Sequence, residues 1–551
     1  MASLQALLLA TALLNIASSA PAEQFADATT ASRTGSALTR PTDFNPVPIA
    51  ASPSGAGEPV LNSFVSFSIE LAFFPDFAGD KENPNTFSDN LLNNLGSFQG
   101  SKPNIRVGGN TQDYALYDAN LKAATNGTII PSISKDYPRI LSIGPKFFES
   151  YQTWPGVKFI HGFNLAKNDT AANASATDEA AIACKFLELH DNFLYWEMGN
   201  EPDLFKTSAQ GVMRPASWNE QQYTQQWNIR VQLVKDSLSK NCGADWVTAQ
   251  NFKWLAPSFA GTSNSLDAVK TWKAGLDQRN EIELFSSHNY IGGATQPGVT
   301  LAGFLMNHTK TVSSVSNHNK EQAALKAAGM NMPYILGEAN SLYNQGAPAL
   351  SNSFGAALWG VDFNLMCAAT DIRQVYMHMG TNFRYASWQP VATNTTSIGT
   401  KAPYYGNIAV AASLGDITQG DVRVQNIPLK NYNEAAYTIY EGEKLKRLVV
   451  INMHQYNYSV PVPLPRGETT YNFTLPTSCS GHGLVQRLIA NGSDAITGIT
   501  FNGASYNYEL DHGKPKLLGN VTKDETVWVG QDGGIAVGVP WSSAALVQLE
   551  C

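Results

Sequence analysis

Two glutamates in this chain directly follow short apolar segments, at the places where buried strands would end. Glu201 follows FLYWEMGN at residues 193–200, and Glu338 follows YILG at residues 334–337. A pair of carboxyl groups can cleave a glycosidic bond when one stays protonated, to supply the leaving oxygen with a proton, and the other stays ionised, to face the positively charged sugar carbon. The sequence therefore offers Glu201 as a general acid/base and Glu338 as a nucleophile.

A third glutamate, Glu197, competes with Glu201 for the acid/base role. Side chains alternate between the two faces of a strand, so these two glutamates, four residues apart, are expected on the same side. A lone glutamate at a strand end is as easily explained by a structural hydrogen bond or ion pair, so position has to decide. Glu197 lies inside the apolar run and Glu201 lies past its end, which favours Glu201.

The elements that must position these carboxyls form a repeating pattern. Short apolar segments of β type alternate with amphipathic stretches, which is typical of βα units around a parallel sheet. The predicted strands are residues 64–70, 104–107, 157–162, 194–198, 256–259, 282–286, 334–336 and 375–378. Eight such units predict a (β/α)8 TIM barrel, in which chemistry belongs at the carboxyl ends of the strands.

The sequence before and after the predicted barrel indicates further segments of the chain. After about residue 395, strand-like runs separated by Gly, Asn, Pro and Asp indicate a C-terminal all-β sandwich domain. The predicted organisation is a signal peptide at 1–22, a leader or linker at 23–62, the α/β barrel at 63–395 and the sandwich at 396–551. Within the leader, residues 46–49 have the composition of an edge strand that could complete the sandwich.

Several features indicate the secretory route. The apolar run from Ala6 to Ile16 and the small residues that follow it suit a signal peptide, although no Lys or Arg stands near Met1 and a buried helix is the alternative. The chain also contains nine N-x-Ser/Thr sequons. They begin at Asn126, Asn168, Asn173, Asn307, Asn394, Asn457, Asn472, Asn491 and Asn520. We therefore expect a secreted glycoprotein.

Five cysteines are scattered without the spacing of a zinc site, so we expect no metal, and we expect no cofactor. In an oxidising compartment Cys479 and Cys551 could link the C-terminal region, and the odd total leaves at least one cysteine free, with Cys367 as the candidate. A net charge of −8 argues against a nucleic-acid partner, and no segment after the leader reads as a membrane span. The sequence does not indicate the oligomeric state.

The sequence resembles the large barrel superfamily of retaining glycosidases at two positions. Asn200-Glu201-Pro202 follows the fourth predicted strand, and Glu338 follows the seventh. The resemblance implies that Asn200 holds the sugar 2-hydroxyl, a contact that strengthens in the transition state. Tyr290, at the end of the sixth predicted strand, is placed to hydrogen-bond the nucleophile. The alternative for Tyr290 is an ordinary aromatic side chain at the barrel rim.

Longer motifs narrow the resemblance. Four segments are together similar to the heparanase and β-glucuronidase family, glycoside hydrolase family 79. They are IRVGGNTQD at 105–113, WEMGNEP at 196–202, GEANSLY at 337–343 and IRQV at 372–375. The similarity covers about residues 63–390. It implies a β-glucuronide carbohydrate as substrate, cleaved with retention of configuration.

The resemblance also implies which residues recognise the uronic acid. Its carboxylate would be held by backbone N–H groups and tyrosines at Tyr343, Gln345, Gly346 and Tyr385, since N–H donors can bind a carboxylate without a lysine or arginine. The chain has Asn344-Gln345 where relatives often have a glycine-rich run. Glu70, at the end of the first strand, stands where heparanase has aspartate and is expected at the outer hydroxyls of the sugar, with tolerance of a 4-O-methyl group left open.

These observations predict a secreted retaining exo-β-glucuronidase that removes terminal glucuronic acid. Endo-cleavage of sulfated chains is disfavoured, because the basic clusters that would meet many sulfates are missing from the sequence. One alternative is another retaining β-glycosidase of the same superfamily, such as a β-glucosidase or xylanase, since Asn-Glu-Pro does not select the sugar. A second alternative is a non-catalytic carbohydrate-binding protein, which two intact strand-end carboxylates argue against.

Overall fold

The computed structural model describes residues 46–208 and 211–551. The predicted signal peptide and most of the predicted leader lie outside the described residues. Eight parallel strands close into a barrel. In chain order, barrel strands 1 to 8 are Val65–Glu70, Ile105–Gly108, Phe159–Phe163, Phe193–Met198, Trp254–Phe259, Ile282–Gly293, Tyr334–Tyr343 and Ile372–Met379. Each overlaps one predicted strand, so the predicted TIM barrel is confirmed.

Each barrel strand is followed by a helix that covers the outside of the sheet, as expected for βα units. In chain order these helices are Thr86–Gln99, Pro145–Gln152, Thr170–Ala183, Glu220–Asn241, Ala268–Lys273, His308–Ala327, Phe354–Ala368 and Ala402–Leu414. Pro145–Gln152 is a 3-10 helix, and the others are α-helices. Short helices Phe74–Ala78 and Tyr508–Asp511 are additional.

The eighth barrel helix lies beyond the boundary expected at residue 395. Ala402–Leu414 packs against helices Phe354–Ala368 and Thr86–Gln99, so it belongs to the barrel. All its residues are buried, and a helix buried on every side shows no alternation of polar and apolar faces. The all-β region therefore begins only at the next strand, Val422–Ile427.

The C-terminal region consists of two packed sheets. A nine-stranded sheet contains Val422–Ile427, Glu434–Glu441, Lys444–Asn452, Ser543–Gln548, His482–Ile489, Thr500–Phe501, Ala504–Ser505, Lys516–Leu517 and Glu525–Trp528. A three-stranded sheet contains Val47–Pro48, Glu468–Thr474 and Gly534–Pro540. Apolar side chains from both sheets, including Phe473 and Val547, form one buried cluster between them. The predicted all-β region is confirmed, and the edge strand from the leader lies in its smaller sheet.

Five smaller strands lie outside these sheets in the described residues. Ala115–Tyr117, Thr125–Thr128 and Ile140–Ile143 form a small sheet in the long connection after barrel strand 2. Trp388–Gln389 pairs with Gly399–Thr400 after barrel strand 8. In the described residues, no helix is both long and apolar enough to cross a membrane.

Two disulfides link neighbouring elements. Cys184–Cys242 joins the ends of helices Thr170–Ala183 and Glu220–Asn241, and Cys479–Cys551 ties the C-terminus to the sandwich. Cys367 is free and buried, as expected from the odd number of cysteines.

Candidate active site

The carboxyl ends of the barrel strands surround a cavity of about 570 Å³. Residues after strands 2, 4, 5, 6, 7 and 8 line it. Among the residues that the sequence singled out, those lining the cavity are Asn200, Glu201, Tyr290, Glu338, Tyr343, Gln345 and Tyr385. Glu70 and Gly346 do not line it. The cavity therefore brings together residues that are distant in the sequence at the end of the barrel where chemistry was expected.

The backbone at Glu201 adopts an unusual conformation. Its φ of 52° lies in the left-handed region, which residues with a side chain rarely occupy without support. Two hydrogen bonds supply that support: the N–H of Glu201 donates to Ser258 O (2.9 Å), and the preceding Asn200 N–H donates to the Asp113 carboxylate (2.9 Å). Burial raises the pKa of Asp113 to about 6. This conformation turns the Glu201 side chain into the cavity.

The two candidate catalytic carboxyls face each other. One carboxylate oxygen of Glu201 and one of Glu338 lie within 4.8 Å of each other, together with a ring nitrogen of His288. These three groups could in principle ligate a cation. Both oxygens of Glu338 are, however, already bonded to Tyr290 and to a cationic guanidinium, so the arrangement suits acid–base chemistry better.

The surroundings drive the two carboxyls toward opposite protonation states. Burial raises the pKa of Glu201 to about 8, and the negative charge of nearby Glu338 adds to this. Burial alone would also raise the pKa of Glu338, but the charges of His378 and Arg106, together with the hydrogen bond from Tyr290, outweigh burial and hold it well below its usual range. One carboxyl stays protonated while the other stays ionised, which is the division of labour that glycoside hydrolysis needs.

Two direct hydrogen bonds add to the stabilisation of ionised Glu338. Arg106 donates from Nη1 to Glu338 Oε2 at 2.6 Å, and Tyr290 donates its hydroxyl to Oε1 at 2.6 Å. Tyr290 lies near the end of strand 6 and makes the contact expected from its position at the end of the sixth predicted strand. Charge-assisted bonds of this length favour the charged form of the acceptor.

Glu197, the competing glutamate, has a structural position. It is completely buried, accepts a bond from Arg106 Nε at 2.8 Å and another from the Ser258 hydroxyl at 2.5 Å. It does not line the cavity. Glu197 therefore balances the charge of Arg106 inside the barrel, and the preference for Glu201 at the cavity agrees with this placement.

Two histidines complete the polar centre. His288 Nδ1 lies 3.0 Å from Glu201 Oε1, and burial lowers the pKa of His288 to about 4, so its ring is neutral near pH 7. Burial would also lower the pKa of His378, but the carboxylates of Glu338 and Glu70 outweigh it and raise that pKa above its ordinary value. His378 Nδ1 lies 3.6 Å from Glu338 Oε2 and adds to the stabilisation of the ionised nucleophile.

Asn200 presents its amide NH2 group to the cavity. Arg106 Nη2 donates to Asn200 Oδ1 at 2.8 Å, so the oxygen is fixed on the side of the guanidinium. The amide nitrogen is then directed away from Arg106 and can donate to a sugar hydroxyl. This orientation fits the contact with the 2-hydroxyl expected from the sequence.

The segment after strand 7 folds into a left-handed turn. Asn344, Gln345 and Gly346 have φ values of 63°, 61° and 77°, and the Gly346 N–H donates to Leu342 O at 3.0 Å. Gly346 was expected to offer its N–H to the sugar, but the turn uses that group internally. The N–H groups of Asn344 and Gln345, both residues at the cavity wall, have no acceptor among the described residues. They replace Gly346 as the candidate carboxylate donors.

Glu70 is also placed differently from the expectation. Its side chain is fully buried and accepts bonds from the N–H and the hydroxyl of Thr111, both at 2.6 Å. Its other oxygen lies 3.4 Å from His378 Nε2. The turn Asn110–Asp113 folds over strand 1 and covers Glu70, so this side chain acts on His378 rather than lining the cavity.

Comparisons with known proteins identify the family. The model of the glycosyl hydrolase family 79 C-terminal beta domain matches residues 436–546. A β-glucuronidase of Aspergillus niger is 56% identical over 512 residues, covering 91% of this chain and 93% of the relative. A β-glucuronidase of Neurospora crassa is 49% identical over 546 residues, covering 92% and 97%. The chain belongs to glycoside hydrolase family 79.

Solved structures are also similar to this family 79 hydrolase. A 4-O-α-L-rhamnosyl-β-D-glucuronidase from Fusarium oxysporum superposes with a TM-score of 0.72 at 25% identity, covering 91% of this chain and 99% of that one. A family 51 α-L-arabinofuranosidase from Bifidobacterium longum has a TM-score of 0.59 at 12% identity, covering 92% and 100%. The second similarity shows the fold alone.

Three residues at the centre of the family 79 site were not singled out from the sequence: Arg106, His288 and His378. Each of them has a feature in the sequence that could have marked it as a site residue. Arg106 is a charged residue inside a buried strand, where unpaired cations are rare. His288 lies two residues before Tyr290 and therefore on the same strand face, and His378 closes predicted strand 8. The pairing of Arg106 with two different glutamates, however, depends on the closed barrel.

Proposed function

We propose that this chain is a secreted, retaining exo-β-glucuronidase that removes terminal β-linked glucuronic acid by double displacement. The supporting observation is the facing pair of carboxyls, within 4.8 Å, with the pKa of Glu201 raised to about 8 and that of Glu338 lowered. Retaining enzymes hold their carboxyls about 5–5.5 Å apart, whereas inverting enzymes need roughly 6.5–9.5 Å to admit a water molecule.

The geometry supports a two-step reaction. Glu338 attacks the anomeric carbon from the face opposite the leaving group, while Glu201 gives its proton to the leaving oxygen. The glycosyl–Glu338 ester is then hydrolysed by a water molecule whose proton returns to Glu201, now acting as a base. Tyr290 and Arg106 stabilise the Glu338 carboxylate before attack and again after it is released.

The glucuronic acid specificity is supported by the relatives and by the turn at 344–346. Two relatives at 56% and 49% identity are named β-glucuronidases. The free N–H groups of Asn344 and Gln345, with Tyr343 and Tyr385 nearby at the cavity wall, provide donors for a sugar carboxylate. A neutral sugar would leave these donors unpaired.

The proposed function includes secretion of the protein and tolerance of a substituent on the glucuronic acid. Two disulfides and nine sequons support secretion. Tolerance of a 4-O-methyl group on the glucuronic acid is supported by the Fusarium relative, whose name describes a glucuronide substituted at the 4-oxygen.

The test compares 4-nitrophenyl β-glucuronide, its 4-O-methyl derivative and 4-nitrophenyl β-glucoside as substrates, with proton NMR of the first-formed sugar. We expect both glucuronides to be hydrolysed with kcat/KM at least 100-fold above the glucoside and with the β-anomer appearing first. Equal turnover of the glucoside would refute the uronate assignment. First appearance of the α-anomer would refute the retaining mechanism.

A further inference from the structure

A second cavity adjoins the catalytic one on the far side of His288. Its volume is about 330 Å³, and the segment Ala260–Gly261–Thr262 and Tyr290 line both cavities. The rest of its wall comes from the end of strand 6 and from helix His308–Ala327, where Lys310, Ser313 and Asn317 are exposed at its outer edge. We call this space, from His288 to Lys310, the side chamber.

Two residues in the wall of the side chamber each have a buried polar atom without a partner among the described residues. His288 is fully buried, its Nδ1 is bonded to Glu201, and its Nε2 has no hydrogen-bond partner among the described residues. Asn289, 6% exposed, accepts from the Ser314 hydroxyl through Oδ1 at 2.9 Å, whereas its Nδ2 has no such partner. Buried polar groups are rarely left unpaired, so these two nitrogens are candidate partners for a molecule held in the chamber.

The charge of the side chamber is biased toward anions. Its described lining contains no aspartate or glutamate, although the whole chain carries a net charge of −8. Lys310 supplies a cation at the edge, 5.3 Å from the Phe304 ring. Lys310, Ser313 and Ser314 also lie in the first two turns of a 20-residue helix, whose N-terminal end carries partial positive charge.

We propose that the side chamber is a subsite for the leaving part of the substrate, and that it accepts a hydroxylated group bearing a negative charge, such as a second acidic sugar. This inference rests on the proposed function, because it assumes that the glucuronic acid occupies the space between Glu201 and Glu338. The leaving group departs from the side of Glu201, and His288 separates Glu201 from the chamber. A leaving sugar that passes over Ala260–Thr262 reaches the unpaired donors and then Lys310.

The composition of the chamber matches such a ligand. Sugar hydroxyls can bond both to Asn289 Nδ2 and to the hydroxyls of Thr262, Ser313 and Ser314, while the Phe304 ring offers an apolar face. An anionic substituent would be attracted by Lys310. A compact aromatic leaving group such as nitrophenol carries none of these features and would make little use of the chamber.

The experiment compares two disaccharides that share one linkage: β-glucuronosyl-galactose and β-glucuronosyl-galacturonic acid. We expect the enzyme to prefer the acidic leaving sugar at low ionic strength. In Lys310→Met, we expect the ratio of kcat/KM for the acidic to the neutral disaccharide to fall about ten-fold. The matched control is Lys326→Met, on the last turn of the same helix and outside the chamber, which should leave this ratio unchanged.

A second variant tests occupancy without relying on charge. Ser313→Trp fills the outer part of the chamber from an exposed helix position, and it should lower kcat/KM for both disaccharides at least three-fold relative to 4-nitrophenyl β-glucuronide. An unchanged acidic-to-neutral ratio in Lys310→Met would refute the anionic preference, and equal effects of Ser313→Trp on all three substrates would refute the subsite. Failure of the proposed function would show separately, as loss of preference for the nitrophenyl glucuronide over the glucoside.

Discussion

The Arg106 guanidinium lies between two glutamates that belong to different barrel strands. It bonds Glu197 at 2.8 Å and Glu338 at 2.6 Å, and it also orients Asn200. One cation thus stabilises ionised Glu338, balances the charge of Glu197 and fixes the orientation of the Asn200 amide. Glu201 has no bond to Arg106, and burial keeps its pKa raised.

The first prediction concerns the pH dependence of activity. Glu201 must be protonated to act as the acid, and its pKa of about 8 means that the active form exists below that pH and is lost above it. Glu338 must be ionised, and its lowered pKa keeps it so in weak acid. We expect kcat/KM for 4-nitrophenyl β-glucuronide to fall above about pH 8, since kcat/KM reports the free enzyme. A descending limb near pH 5 would contradict this assignment.

The second prediction concerns Arg106. Replacing it by methionine leaves two buried carboxylates without their cation, and breaking a buried pair typically costs about 3–5 kcal/mol. We expect Arg106→Met to lower the free energy of unfolding in urea by this amount and to abolish turnover. The control is Arg106→Lys, which keeps the charge but has only three N–H donors for the four partners that Arg106 bonds, and it should be more stable than Arg106→Met. Equal stability of the two variants would show that charge pairing is not the cause.

The candidate site residues could be predicted from the sequence to different extents, for physical reasons. Glu201 and Glu338 were recognisable because each follows an apolar strand, a local feature. The roles of Arg106, His288 and Glu70 depend on which strands are neighbours after the barrel closes. Glu70 was expected at the sugar, but the turn carrying Thr111 covers it, and that contact joins segments 41 residues apart.

At the scale of elements, the strands were predictable and one helix was not. Every barrel strand contains a short stretch rich in apolar residues, which can be recognised in the sequence. Helix Ala402–Leu414 is buried on all sides between two other helices, so its apolar residues show no helical periodicity and the barrel boundary was expected too early. The turn at 344–346 could likewise not be predicted from the sequence, because two of its three residues with left-handed backbone conformation are not glycine.

The third prediction tests that turn. Gly346 has a φ of 77°, and an added Cβ would lie 2.8 Å from Ser351 Cβ and 3.0 Å from Tyr385 N. We expect Gly346→Ala to lower the free energy of unfolding by about 1–3 kcal/mol and to raise KM for the nitrophenyl glucuronide, because it displaces the N–H groups of Asn344 and Gln345.

The matched control for this prediction is Gly360→Ala. Gly360 lies in helix Phe354–Ala368, and an added Cβ there meets no atom within 4 Å. Since alanine is the better helix former, this variant should gain roughly 0.5–1 kcal/mol without a change in KM. Unchanged KM in Gly346→Ala would remove the turn from the carboxylate site.

At the scale of the whole molecule, the barrel and the sandwich share one hydrophobic cluster, and a polar contact joins them within it. Asp362, on helix Phe354–Ala368, accepts from the Tyr437 hydroxyl of the large sheet at 2.7 Å. The same carboxylate oxygen lies 2.8 Å from His308 Nδ1. Burial would lower the pKa of His308, but the charge of Asp362 outweighs it and raises that pKa above its ordinary value.

The fourth prediction follows from this contact. A histidine whose folded pKa is raised stabilises the folded state fully below its ordinary pKa of about 6.5, and this stabilisation is lost as the pH rises through the folded value. We expect the thermal midpoint of the wild type to fall between pH 5.5 and 8.5 by more than that of His308→Gln. Parallel changes in the two proteins would contradict a stabilising charge at His308.

The central claim is that Glu338 forms a covalent bond to the sugar while Glu201 transfers protons. The most direct measurement is trapping with 2-deoxy-2-fluoro-β-glucuronyl fluoride, which slows both steps but still lets the first proceed, followed by mass spectrometry of the peptides. We expect one fluoroglucuronyl group per chain, attached to the peptide that contains Glu338. Attachment to Glu201 or Glu197, or complete absence of an adduct while substrate is still turned over, would contradict it.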